Sequence, residues 1–304
     1  MLCVLAPRTI TPDMLVSSTA VETEYPAWTS GATFANGAFC VSTTTHRVYQ
    51  SQIDGNIGKD PTDPLNRAGS TVYWLDYGPT NRWAMFDNKV STQTALPSPL
   101  TVVLRPGAFS ASYLVGLDAE TVSLTIRDAP GGNVIYTYSG SLEASAPADY
   151  DEYFFDPFSP VTDLLLTGIG QYTAGEVTMT LAKASGTVKC GSFALGDIRE
   201  LGHALADAEA EPVSFSYVDI DRWGNSTIVP GPKCTNLAVS AVTESREQGR
   251  VAQAVVASLL DVAAFWFCSD RQDTAGLRAF GLGSGKFSYR ADRCNISITV
   301  KGLI

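Results

Sequence analysis

The strongest constraint on the fold of this chain is a series of short alternating apolar runs in its middle third. Leu100-Thr101-Val102-Val103-Leu104, Tyr113-Leu114-Val115-Gly116-Leu117, Val122-Ser123-Leu124-Thr125-Ile126 and Val134-Ile135-Tyr136-Thr137-Tyr138 follow one another at near-regular spacing. Each run is too short for a helix, and most alternate with a period of two, which puts successive side chains on opposite faces of a half-buried strand. Pro130-Gly131-Gly132-Asn133 supplies a hairpin turn between two of them, and residues 161–167 and 176–182 complete a sheet pair. Strands spaced this way form a β-sandwich. The 26 glycines and 16 prolines favour short strands and turns over long helices, so the expected fold is mostly β. A small polar break, Lys183-Ala184-Ser185-Gly186-Thr187, divides the chain into an expected domain 1–186 and an expected domain 187–304.

Charge and cysteine usage remove several function classes. A formal charge of −10 opposes phosphate binding, and Arg8, Arg47, Arg67, Arg82 and Arg105 are scattered singly, so nucleic acid is not an expected partner. Cys3, Cys40, Cys190, Cys234, Cys268 and Cys294 include no C-x-x-C pair, and His46 and His203 are the only histidines. The expectation is reduced, buried thiols in a protein made in a cytosol, with no zinc site and no cofactor. P-loop, nucleophile-elbow and G-x-G-x-x-G patterns are all missing.

The second part reads as strands, a turn at Arg222-Trp223-Gly224-Asn225, further strands and one helix. Ser245 and Gln248 have the spacing of a capping box, with Thr243 as the alternative cap. Val251, Ala254, Val255, Leu259 and Val262 recur at three and four residues and predict the face that lies on a sheet. Gln253 and Asp261 interrupt the apolar run, which falls short of the ~20 residues a membrane span needs. Ala264-Phe265-Trp266-Phe267 is ambiguous between strand and helix end. The apolar residues 1–10 and the closing strand 295–300 are candidates for edge pairing between subunits in a homo-oligomer, or for strands satisfied within the monomer.

The densest aromatic stretch is Val72 to Thr94, where Gly78-Pro79 predicts a tight turn between two strands. Its rings suit either a hydrogen-bonded core corner or a surface on which sugar rings stack, and residue types alone do not decide. Nearby, Asp54, Asp60 and Asp63 raise a calcium-loop reading, though Lys59, Pro61 and Pro64 favour a plain solvated loop. Asp149, Asp151 and Asp156 invite a glycoside-hydrolase reading, but near-adjacent positions do not flank a sugar from two sides. A non-enzymatic protein is expected.

Trp74 followed by Gly78-Pro79-Thr80-Asn81-Arg82-Trp83-Ala84-Met85-Phe86-Asp87 resembles a segment of a family of tailed-bacteriophage tail-tip and baseplate proteins described as carbohydrate-binding. Tyr217-Val218-Asp219-Ile220-Asp221-Arg222-Trp223-Gly224-Asn225-Ser226-Thr227 and the closing Ile296 to Leu303 are similar to further segments of that family. The resemblance implies a virion protein made in the host cytoplasm, with tail proteins as partners and host saccharide as ligand. It points to Trp74, Tyr77, Asn81, Arg82 and Trp83 as saccharide-contacting residues. The alternating strands resemble the jelly-roll sandwich of galactose-binding-like modules, and the second part is similar to the sandwich-plus-helix unit of tail-tube and distal-tail proteins.

Overall fold

The computed structural model describes residues 1–142, 160–269 and 276–303. The chain opens with β1 (Leu2–Pro7) and β2 (Leu15–Ser18). It then makes an excursion of short strands, β3 (Thr33–Phe34), β4 (Phe39–Ser42), β5 (Arg47–Ser51), β6 (Asn56–Ile57) and β7 (Trp74–Pro79), returning through β8 (Thr94–Pro97). More regular strands follow: β9 (Leu100–Leu104), β10 (Ala111–Val115), β11 (Thr121–Arg127), β12 (Val134–Ser141), β13 (Asp163–Leu166) and β14 (Glu176–Ala182). After β15 (Thr187–Cys190) comes the long β16 (Ser192–Ala204). The last third holds β17 (Glu209–Ser214), β18 (Tyr217–Ile220), β19 (Ser226–Val229), β20 (Lys233–Val242), helix α1 (Arg246–Ser258), β21 (Ala264–Phe267), β22 (Arg278–Tyr289) and β23 (Cys294–Gly302). The fold is mostly β, as the alternating runs require.

The sandwich expected from those runs is present. A five-stranded sheet, β12-β11-β14-β9-β2, shares a core with residues of β13, β10 and β16, including Leu164, Leu114 and Phe193. Alternation is clear in β11 and β14, where Val122, Leu124, Ile126, Val177, Met179 and Leu181 all point inward.

The sheet of the second part closes on itself. β16, β1, β21, β22, β23 and β20 are hydrogen-bonded in that order, and β20 pairs back to β16 at His203↔Val242 and Ala204↔Ala241. This six-stranded barrel is filled by alternate residues, such as Cys294, Ile296, Ile298 and Val300 of β23. Trp266 is fully buried in it, and its Nε1 donates to the Gly281 carbonyl at 3.2 Å. Gly283 carries no side chain where the indole lies, since a Cβ there would fall 2.1 Å from the ring. Ala264–Phe267 is thus a strand.

Three expectations are corrected here. First, β1 lies between β16 and β21, and β23 between β22 and β20, so the chain's two terminal strands are spent inside the monomer. Second, the break near Gly186 does not separate two sheets, because β1, β10 and β13 share one sheet with β16 and β20–β23. Arg278 of β22 also bonds Asp163 of β13 at 3.0 Å, and Tyr113 of β10 donates to the same carboxylate. Burial, with the Asp163 charge beside it, pushes the Tyr113 phenol well above its ordinary value. Third, the helix starts where the capping box places it, with Ser245 Oγ accepting from Gln248 N at 3.2 Å, but turns a different face inward. Gly249, Ala252, Val256 and Leu259 are buried against the barrel mouth, while Val251 is 52% exposed and Val262 is also exposed. The small residues decide this, because a Cβ on Gly249 would meet Cys294 at 2.4 Å, so the helix seats most closely along its glycine and alanine edge.

Candidate functional site

The excursion between β2 and β8 carries the residues to which the resemblance points. β4, β5 and β7 form a three-stranded sheet whose inner face packs Cys40, Tyr49 and Trp74 with Phe34. Trp74 is 1% exposed, donates from Nε1 to the Lys59 carbonyl at 2.7 Å and meets Phe34 edge to face at 5.2 Å. It is a core residue with no face open to a sugar.

Gly78-Pro79 does not make the expected turn. Both lie within β7, and the second strand expected after them is a short 3-10 turn, Ala84–Phe86. The register of β5 on β7 slips between Val48↔Gly78 and Tyr49↔Asp76, which leaves Tyr77 as the extra residue of a bulge. Gly78, at φ 149°, accommodates that kink. The consequence is that Tyr77 is turned outward and is 64% exposed.

The remaining expected residues are structural. Asn81 receives Ala95 N on Oδ1 at 2.8 Å and donates Nδ2 to Ala95 O at 2.9 Å, so its amide imitates a strand partner. Trp83 is buried, stacked on His46 at 4.4 Å between centroids. Arg82 is half-buried, and neither its Nε nor Trp83 Nε1 has a partner among the described residues. His46 Nδ1 and Thr80 Oγ1 both bond Glu22 Oε1, at 2.9 and 2.7 Å. Burial pushes the Asp87 carboxyl up, opposed by hydrogen bonds from Thr92 and Lys89.

Tyr77 instead joins two rings that were not singled out from the sequence. Phe39 meets it edge to face at 5.0 Å, and Tyr25 stacks on Phe39 at 4.8 Å. Tyr25 is held there because Pro26 O and Trp28 N both bond the main chain of Val41 in β4. The row Tyr25, Phe39, Tyr77 is bordered by polar groups. Gln50 is opposite Phe39 in register, Glu24 accepts from Asn81 N at 2.8 Å, and Asp76 takes Arg47 Nε at 2.7 and 2.8 Å. Three rings drawn from three distant segments leave no sequence periodicity, which is why only Tyr77 was legible.

The proposed calcium ligands do not converge. Asp54 accepts from Asn36 N, Asp60 from Thr62, and Asp63 caps the 3-10 turn at Leu65 N. Among the described residues no group of three His, Cys, Asp or Glu side chains could hold a metal ion, and no helix is long and apolar enough to cross a membrane. All six cysteines are free thiols, and burial pushes Cys40 and Cys190 up to about 12. Asp149, Asp151 and Asp156 lie outside the described residues.

The other segment quoted for the resemblance, residues 217–227, forms the ribbon of β18 and β19, which pair only with each other. Its turn is built by Asp221, whose carboxylate accepts from Trp223 N, Asn225 N and Asn225 Nδ2 at 2.8 to 2.9 Å, with Gly224 at φ 86°. The Asn225 side chain, followed by backbone donors, holds the Asp221 carboxyl below its usual range. Comparison with known proteins returns no family model, no curated protein and no solved structure that matches this chain.

Proposed function

We propose that this chain is a component of a phage tail tip or baseplate that acts by binding and assembly rather than catalysis, and that its exposed aromatic row meets saccharide on the host surface. The observation that carries the saccharide reading is the row Tyr25, Phe39, Tyr77, which offers adjoining apolar ring faces beside carboxylate, guanidinium and amide groups suited to hydroxyls. The virion reading is supported by the resemblance of residues 74–87 and 217–227 to tail-protein segments. A shallow platform of this kind binds weakly, with a Kd on the order of 1 mM per site, about −4 kcal/mol, and gains from many copies acting together.

Glycan-array binding and adsorption to host polysaccharide test the reading. Tyr77→Ala should keep the circular dichroism spectrum and abolish binding, since the ring is outside the core. An unaltered protein that binds no host glycan would end the saccharide assignment, and absence of the polypeptide from purified tailed particles by mass spectrometry would end the virion assignment.

A further inference from the structure

The β18–β19 ribbon extends beyond the nine-stranded sheet as the continuation of β17 and β20, with no third strand or covering layer. Phe215, Tyr217, Val218, Ile220, Trp223 and Ile228 are all more than half exposed along it. By register Val218 is opposite Ile228 and Ile220 opposite Ser226, so one face is apolar, while Asp219 and Thr227 share the other. These six side chains leave on the order of 600 Å² of apolar surface on one projection, as large as the largest patch on an ordinary monomer. A lone two-stranded ribbon is marginal in water, so such a surface calls for a partner.

The chain carries a second unpartnered apolar surface. Because α1 seats on its glycine and alanine edge, Val251, Ala254 and Val255 are turned away from the barrel core and line a groove of about 580 Å³ with Ala6 and Gly196. Its rim holds Arg8, Arg199 and Arg250 against one acid, Asp197. In a chain of net charge −10 this is a locally basic, apolar slot, and the ribbon that would fill it carries Asp219 and Asp221. The two surfaces match in polarity and in charge.

Placement decides that the occupant is another copy. The ribbon leaves from the start of β20, at Lys233, whereas α1 follows the end of β20, at Val242. Nine residues of extended strand separate these ends by about 30 Å, and the ribbon projects further away. We propose that the β18–β19 ribbon of one copy docks in the α1 groove of the next, giving head-to-tail association. Such a contact is heterologous and generates a ring if the rotation closes, or a filament if it does not. The inference does not depend on sugar binding.

Sedimentation velocity on the full chain tests it, with circular dichroism and thermal melting as fold controls. The unaltered protein should associate with rising concentration, and excision of 217–229 with β17 and β20 rejoined by a short turn should leave a folded monomer. Arg199→Glu and Asp219→Arg should each weaken association roughly tenfold, and the two together should restore it, since they exchange the charges of one contact. A monomeric unaltered protein at all concentrations, association that survives excision of the ribbon, or a double variant no better than its parents would each overturn the proposal. Glycan binding by the ribbon-less monomer is read separately, so failure of the two proposals is distinguishable.

Discussion

Trp74 and Trp223 sit in similar sequence surroundings, each in an aromatic strand-and-turn segment with a glycine nearby, yet one is 1% exposed and the other 72%. Trp74 lies on a three-stranded sheet covered by Phe34, and its indole nitrogen finds the Lys59 carbonyl. Trp223 lies at the tip of a two-stranded ribbon with nothing above it except Arg222, whose guanidinium is 4.0 Å from the ring centre. The difference is the covering layer rather than the residue. An aromatic stretch becomes core where distant chain returns over it, and becomes a contact surface where none does.

Trp74→Ala tests that difference where it is largest. Removing a fully buried indole from the small core of the excursion should cost ~3–5 kcal/mol, read from denaturant midpoints. A loss under ~1 kcal/mol would mean that the excursion does not need its tryptophan.

Cys40 lies in the same small core, and burial holds its thiol protonated up to about 12 against an ordinary value of 9.0. Between these values the folded state binds the proton that the unfolded state releases, so this contribution is fully present below pH 9 and lost as pH rises through the folded value. At pH 10 the loss is about 1.4 kcal/mol for this one thiol. Comparing urea midpoints at pH 7 and 10 should therefore show a smaller drop for Cys40→Ala than for the unaltered chain, while excision of the ribbon should leave the drop unchanged.

Asn81→Ala should cost about 1–3 kcal/mol, because it leaves the Ala95 main chain without its two side-chain partners. If Asn81 instead served only as a sugar contact, stability would stay constant and glycan binding alone would fall. At the small end, Trp223→Ala should shift thermal stability by no more than about 0.5 kcal/mol while weakening self-association.

The legible parts share a cause. Alternation at 100–104, 122–126 and 176–182 reports burial of one strand face, the Ser245–Gln248 spacing reports a helix start, and Asp221 with Gly224 reports a turn. These signals are local, because the atoms that satisfy them are within a few residues. Gly78-Pro79 misled because a bulge and a turn ask the same freedom of glycine, and only the β5 partner distinguishes them. The helix stripe misled because hydrophobicity marks Val251 and Val262, whereas close approach to Cys294 selects Gly249 and Ala252.

By itself the sequence determined the fold class, the positions of most strands, the helix and its cap, and the Asp221 turn, because backbone sterics, side-chain alternation and local hydrogen bonds act over short separations. Tertiary structure alone decided that β20 pairs back to β16 to close a barrel, that β1 becomes an interior strand and that Tyr25, Phe39 and Tyr77 meet on one surface. Each of those outcomes depends on which distant segments compete for the same sheet edge or cover the same ring, and that competition is settled only when the whole chain packs.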